Sequence, residues 1–134
     1  MFQTTLDVNT LPDYQSPLQI LQSLKYEFVL TGSRRFGDAS PTSDYDFFVH
    51  DDGYVSEVLM DKGFRKVSND EGYSDIPDTT VFRKHNVDVQ VRKDADKFEK
   101  ICQWLEQNPG SYKYMKSLVR EERKKIWTFL RTVV

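Results

Sequence analysis

The sequence predicts a protein of the α/β class, more narrowly α+β, in which a small mixed β-sheet carries helices on one face and is followed by a pair of C-terminal helices. Short runs of apolar and β-branched residues, bounded by turn residues, are typical of strands. Other segments repeat their apolar residues every three to four positions, which is typical of amphipathic helices. With 134 residues and 38% hydrophobic content, the chain has enough apolar material for one core, so we expect one domain over residues 1–134.

In chain order, an irregular arm precedes the regular elements. Residues 1–15 show no consistent period, whereas Ser16 followed by Pro17 suits a helix start, because the hydroxyl can cap the helix and proline fits its first turn. The predicted helices and strands fall at residues 16–24, 28–30, 45–49, 55–62, 64–67, 79–84, 86–92, 94–105 and 112–131. The polar residues 68–78 predict a mobile loop, and the last two strands predict an antiparallel hairpin.

The end of the chain is predicted to be helical. In the segment that follows Asp94, apolar residues fall at i, i+3, i+4 and i+7 and include the only cysteine, Cys102, which is therefore expected in the core. Residues 108–110 contain proline and glycine and predict a break before the final helix. We divide the domain into a core at residues 16–93 and C-terminal helices at residues 94–134.

The charge is distributed unevenly along the chain. The net charge is −2, but residues 1–108 carry −7 and residues 109–134 carry +5. Five basic side chains line the outer face of the predicted final helix: Lys113, Lys116, Arg120, Arg123 and Lys124. Such a face is either an ordinary solvated surface or a weak electrostatic footprint for an RNA or protein acceptor.

Cysteine content and hydropathy bear on the location of the protein. One cysteine excludes an intrachain disulfide and a thiolate metal cluster, which is typical of a reducing cytosol. The first residues lack the basic start and apolar run of a signal peptide, and no stretch of about 18 apolar residues occurs. We therefore expect a soluble, cytoplasmic protein without membrane contact.

The predicted second strand begins with a pair of acids. Asp44 and Asp46 stand at i and i+2, a spacing that places both carboxylates on one face of a pleated strand. Two like charges this close repel each other unless a cation lies between them. Asp88 similarly interrupts the apolar alternation of the last strand. The three acids predict a Mg²⁺ or Mn²⁺ site at one edge of the sheet, and the plain alternative is an acidic strand start without a ligand.

A glycine and a serine follow the first strand. Gly32 lets backbone N–H groups approach a phosphate, and the Ser33 hydroxyl can donate to it, within a glycine turn and polar loop. Arg34 and Arg35 come next and supply cations for the same anion. Arg83, on the predicted hairpin, is a further candidate for contact with the substrate, although a cation on an exposed strand is usually solvated.

These residues together resemble the DNA polymerase β-like nucleotidyltransferase superfamily, and its minimal nucleotidyltransferases most closely. The shared pattern is Gly32-Ser33, a ten-residue spacer, Asp44-x-Asp46 and a later Asp88 between two valines. Each part alone is a weak signal, but the joint pattern is specific. The resemblance covers roughly residues 16–93 and implies the nucleotidyltransferase fold.

The resemblance also implies a reaction, in which a nucleoside monophosphate moves from an NTP to a hydroxyl of an RNA or protein acceptor and pyrophosphate is released. Asp44 and Asp46 are expected to hold the metal on the triphosphate and to bridge to a second metal that Asp88 completes. Asp88 is also expected to help remove the proton of the acceptor hydroxyl. Gly32 and Ser33 are expected to bind the terminal phosphates.

Two alternatives from other classes stay open. The fold can be catalytically idle and act as an inhibitor or docking module that binds a protein through its basic terminal helix. It can also be a toxin–antitoxin type enzyme whose nucleotidyl transfer modifies a protein side chain. The second alternative differs from the main hypothesis in the acceptor and not in the chemistry of the site.

Overall fold

The computed structural model describes residues 16–67 and 79–134. The predicted arm at residues 1–15 and the predicted loop at residues 68–78 lie outside them. In chain order the described elements are α1 Pro17–Ser23, β1 Val29–Thr31, α2 Ser33–Phe36, β2 Tyr45–His50, α3 Val55–Asp61, β3 Arg65–Lys66, β4 Thr79–Lys84, β5 Val87–Arg92, α4 Ala95–Gln107, α5 Pro109–Ser117 and α6 Arg120–Val133.

The five strands form one mixed sheet in the order β1-β2-β5-β4-β3. Strands β2 and β5 run parallel, whereas the β1–β2, β4–β5 and β3–β4 pairs are antiparallel. The α/β class, the mixed sheet and the β4–β5 hairpin are therefore confirmed. The two strands that carry acids, β2 and β5, lie inside the sheet.

The first helix begins as predicted, at a capping box. The Ser16 hydroxyl accepts a hydrogen bond from the Gln19 N–H at 3.2 Å, and the Gln19 side chain accepts one from the Ser16 N–H at 2.9 Å. Two N–H groups that would otherwise lack partners at the helix terminus are satisfied in this way. Helix α1 then buries Ile20 and Leu21 against the sheet.

Helices cover both faces of the sheet and not one, which corrects the prediction. Phe48 and Val49 are consecutive in β2 and point to opposite faces, yet their exposed fractions are only 2% and 3%. Val49 packs in a cluster with α1 and α3, and Phe48 packs in a second cluster with α2, α4, α5 and α6. The sequence suggested one covered face because β5 alternates valines with polar residues. The polar side is nevertheless buried where its charges are paired, as at Arg92, which is 3% exposed.

Arg92 shows how the second face accommodates a charge. Its guanidinium donates to both Asp94 carboxylate oxygens, at 2.8 and 3.2 Å, and lies 3.7 Å from the centre of the Phe98 ring. Arg131 of α6 contacts the same Asp94 carboxylate at 2.9 Å. The pKa of Asp94 is lowered because the hydrogen bond and charge of Arg92, with Arg131, outweigh burial, which acts in the opposite direction. This network ties β5 to the last helix.

The predicted pair of C-terminal helices is a set of three. The segment predicted as one final helix divides where extended backbone at Leu118 and Val119 interrupts it, so that α5 ends at Ser117 and α6 begins at Arg120. Pro109, predicted to lie in a break, occupies the first turn of α5, where a missing N–H costs nothing. Cys102 is fully buried in α4, as predicted. None of the described helices has the length and apolar character needed to cross a lipid bilayer.

Candidate active site

Asp46 and Asp88 face each other across the two parallel strands. Asp46 of β2 is in register with Asp88 of β5, and residues paired in this way on neighbouring strands present their side chains to the same face. Asp88 is 2% exposed, whereas Asp46 is half-buried. These two carboxylates are therefore brought together, though inside the sheet and not at its edge as predicted.

Asp46 lies in an environment that disfavours its charge. Burial, followed by the charges of Asp88 and Asp44, raises the pKa of Asp46 to about 7, while Arg83 and Lys116 act in the opposite direction. Asp44 directly precedes β2, and its negative charge repels the Asp46 carboxylate. A carboxylate held where it is costly to ionise is a frequent mark of a functional site, because the stored repulsion favours a bound cation.

Asp88 has an internal counter-ion. Arg83 of β4 donates through Nε to Asp88 Oδ1 at 2.6 Å and through a terminal nitrogen to Oδ2 at 3.0 Å. The two residues are in register on the β4–β5 hairpin, which explains their proximity. Arg83, predicted to contact the substrate, is thus placed beside the third acid, with 26% of its side chain exposed.

The glycine turn brings the backbone against Asp46. Gly32 has φ +70°, and a Cβ at this position would lie 3.0 Å from Asp46 Cβ and Cγ and closer still to Oδ2. The Gly32 carbonyl accepts hydrogen bonds from the Arg35 and Phe36 N–H groups and so begins α2. The predicted polar loop therefore opens with a short helix, and the 8% exposed Ser33 is its first residue.

Neither Arg34 nor Arg35 contacts the three aspartates of the candidate site. Arg34 donates to the Ser43 carbonyl at 2.6 and 3.2 Å, and its guanidinium lies 3.9 Å from the centre of the Tyr45 ring. Arg35 forms a bidentate pair with Glu99 of α4 at 2.7 and 2.8 Å. Arg35 also contacts Glu106 and the Leu30 carbonyl. Their predicted phosphate contacts have no support in this geometry, which gives both side chains structural partners.

The position of Arg35 leads to a stability prediction. Arg35→Met should lower the free energy of unfolding by about 2 kcal/mol, because it removes a largely buried cation and leaves the Gln103 amide as the described partner of Glu99. Urea unfolding of the variant measures this loss, and Arg34→Met, whose contacts include no acid, serves as the control. Unchanged stability combined with lost nucleotide binding would instead restore the predicted phosphate role of Arg35.

The basic side chains expected on one helix face are divided between two helices. Lys113 and Lys116 belong to α5, whereas Arg120, Arg123 and Lys124 belong to α6. Lys116 differs from the others in that it contacts Asp38, at 3.1 Å, and influences Asp46. Sequence reasoning did not link Lys116 to the acids. The i, i+4 spacing of Tyr112 and Lys116 was the available signal, but nothing in it showed that this face of the helix turns inward.

The donor set suits a hard divalent cation, although the acids are not gathered around one point. Carboxylate oxygens are the ligands that Mg²⁺ prefers, and a cation would relieve the repulsion that Asp88 and Asp44 add to the effect of burial on Asp46. Over residues 16–67 and 79–134, no three histidine, cysteine or acidic side chains come close enough to hold a metal ion.

Fold and site define an α/β protein with an acidic site, where carboxylates from two neighbouring parallel strands lie beside a glycine turn. The family model of the nucleotidyltransferase domain matches residues 17–126, and the chain belongs to this family. The predicted resemblance is thereby confirmed and extends beyond residue 93 into the C-terminal helices. No match was found among curated proteins or among solved structures.

Proposed function

We propose that this member of the nucleotidyltransferase family is a metal-dependent enzyme that transfers a nucleoside monophosphate from an NTP to a hydroxyl of an RNA or protein acceptor, with release of pyrophosphate. The observation that carries the proposal is the position of Asp46. Its carboxylate is pressed against the Gly32 backbone and faces a second acid, an arrangement that costs stability unless a cation relieves it.

Asp46 and Asp88, with Asp44 just before β2, are the residues that would hold Mg²⁺ or Mn²⁺ once their carboxylates turn toward one ion, since no three acids among the described residues stand close enough as they are. When bound, the ion would supply positive charge to the phosphates and to the attacking and leaving oxygens. Asp46 is fixed for this task by its strand and by Gly32, so its carboxylate needs little reorganisation. The missing side chain of Gly32 makes room for the Asp46 carboxylate, and Ser33 beside it is the proposed hydroxyl donor to a phosphate.

Asp88 is proposed to accept the proton of the acceptor hydroxyl. Its carboxylate is almost fully buried and is held by two hydrogen bonds from Arg83, which fix its direction and exclude water. A base must lie within hydrogen-bond reach of the proton it removes, so the acceptor hydroxyl would enter on the partly exposed Arg83 side. Arg83 would then face the charge that develops on the transferred phosphoryl group.

The acceptor would bind through the basic C-terminal helices. Lys113, Arg120 and Lys124 are exposed, and residues 109–134 carry a net charge of +5. A polyanion such as RNA gains affinity from such a surface through counter-ion release, and the affinity falls as the salt concentration rises. A protein acceptor would need an acidic face.

The experiment is incubation with each α-labelled NTP and Mg²⁺ or Mn²⁺, with and without total RNA and cell extract. We expect label on RNA or protein with the wild-type chain, and no label with Asp46→Ala or with a chelator. Label on a protein alone would identify the toxin–antitoxin type of modification. Label in no polymer under any condition would contradict the enzyme proposal.

A second candidate function is a catalytically idle nucleotidyltransferase fold that binds a protein partner. The observation that favours it is the Asp88–Arg83 pair, because an acid already neutralised by arginine does not require a metal. The two candidates differ in their need for the acids. A variant with asparagine at residues 44, 46 and 88 retains cellular function if the fold only docks, and loses it if the protein is an enzyme.

A further inference from the structure

One face of α5 is turned toward the candidate active site. Tyr112 and Lys116 stand at i and i+4 on this helix and therefore lie one above the other on its surface. Lys113 and Lys116 are both exposed, but Lys116 contacts Asp38 at 3.1 Å. This contact sets Lys116 apart from Lys113 on the same helix.

A series of contacts connects this face of α5 with the glycine turn. The Tyr112 ring packs against Phe36 with ring centres 4.7 Å apart, and Phe36 ends the short helix that begins after Gly32. The Lys116 ammonium lies 5.8 Å from the centre of the Tyr112 ring. The same ammonium contacts Asp38 Oδ2 at 3.1 Å, just after the turn that closes α2.

The pKa shifts of Tyr112 and Asp46 are consistent with these contacts. Burial, followed by the charges of Asp46 and Asp38, raises the pKa of Tyr112 to about 12. Lys116 in turn lowers the pKa of Asp46 against the larger effects of burial and neighbouring acids. The contacts of Tyr112 with Phe36 and of Lys116 with Asp38 are what place this face of α5 beside the segment that follows Gly32.

We propose that Lys116 binds the polyphosphate of the incoming nucleotide, that Tyr112 positions its side chain, and that Asp38 holds the ammonium until a phosphate displaces it. This inference rests on the proposed function and assigns Lys116 to the nucleotide, where the sequence assigned it to the acceptor. The Lys116 and Asp38 side chains are 44% and 33% exposed. An ion pair at such exposure contributes little energy and is readily exchanged for a more highly charged partner.

The test is calorimetric titration of the full chain with pyrophosphate, with each NTP and with the matching nucleosides, in the presence of Mg²⁺ and without acceptor. Lys116→Ala should raise the Kd for pyrophosphate and for NTP by about tenfold, the loss expected when a charge-assisted contact is removed. The control variant Lys125→Ala removes the same charge from α6, where the exposed Lys125 contacts Glu122, and should leave both Kd values unchanged. Nucleoside binding should be the same in all three proteins.

A second variant separates phosphate binding from a structural role. Asp38→Asn should tighten pyrophosphate binding, because it removes the competitor for the ammonium, whereas a merely structural ion pair predicts that both variants weaken binding. Equal weakening by Lys116→Ala and Lys125→Ala would overturn the inference in favour of a general field effect. Unchanged binding in Lys116→Ala would overturn it and leave the proposed function intact. A wild-type chain that binds neither NTP nor pyrophosphate would overturn both.

Discussion

Asp46→Asn should remove nucleotidyl transfer and, at the same time, make the folded protein more stable at and above neutral pH. The two effects have one cause, because the carboxylate that the reaction needs is held where ionisation is unfavourable. Transfer should fall by about 10²–10³-fold or more, the loss typical when a preorganised charge-stabilising group is removed. The label assay with a saturating concentration of acceptor measures this loss.

The sign of the stability effect follows from proton linkage. Burial and two neighbouring acids raise the pKa of Asp46 in the folded protein to about 7, above the ordinary value of 3.8. Between these values the folded state keeps a proton that the unfolded state has released, so the free energy of unfolding falls as the pH rises. The penalty is complete above pH 7, where asparagine should raise the free energy of unfolding by roughly 2–4 kcal/mol.

Urea unfolding at pH values from 4 to 9, without divalent ions, measures the stability effect. Asp52→Asn is the control with the opposite sign, since hydrogen bonds from the Tyr54 and Val55 N–H groups lower the pKa of Asp52. Its carboxylate stabilises the fold at neutral pH and loses that effect as the pH falls. Adding Mn²⁺ should stabilise the wild type more than Asp46→Asn. A parallel pH profile for wild type and Asp46→Asn would contradict the assigned environment.

The second large effect is expected at the glycine turn. Gly32→Ala should reduce transfer by about 10²-fold and lower stability, because the new methyl group collides with the Asp46 carboxylate and the residue needs φ +70°. The carboxylate must turn away, or β2 must move away from α2. Transfer assays and thermal unfolding at one pH provide the two measurements.

Gly37→Ala is a control for a positive φ without a close contact, although its ψ of 17° is easier for alanine than the ψ of −162° at Gly32. Gly37 has φ +82°, similar to Gly32, but a Cβ there meets no heavy atom within 4 Å. The control should therefore lose about 1 kcal/mol of stability from strain and keep its transfer activity. If both variants lose activity equally, the close approach of Gly32 to Asp46 is not what matters, and the assigned geometry of the turn fails.

Much of the fold follows from local rules, and the site follows from them only in part. The helix start at Ser16, the strand periods and the β4–β5 hairpin depend on neighbouring residues, which explains why the sequence predicts them. The facing of Asp46 and Asp88 needed the family resemblance, because strand pairing is not local. The sequence contained no signal for the break between α5 and α6, where no proline or glycine stands.

The arginines show why the remaining contacts were missed. Arg35 next to Ser33 resembles a phosphate ligand when only its neighbours are considered, but its partner Glu99 lies 64 positions away. Arg83 likewise faces Asp88 only because of the register of the hairpin. Long side chains reach partners that are set by packing, so their roles cannot be derived from spacing along the chain.

The parallel pairing of β2 with β5 has a consequence for how the chain folds. Parallel strands require a long crossover, and here residues 51–86, with α3, β3 and β4, intervene between the two acids. Contacts between such distant segments form slowly, and repulsion between Asp46 and Asp88 opposes the same step. A nascent chain that still lacks β5 contains Asp46 but not Asp88. The facing acids of β2 and β5 can therefore be complete only after synthesis has passed residue 92.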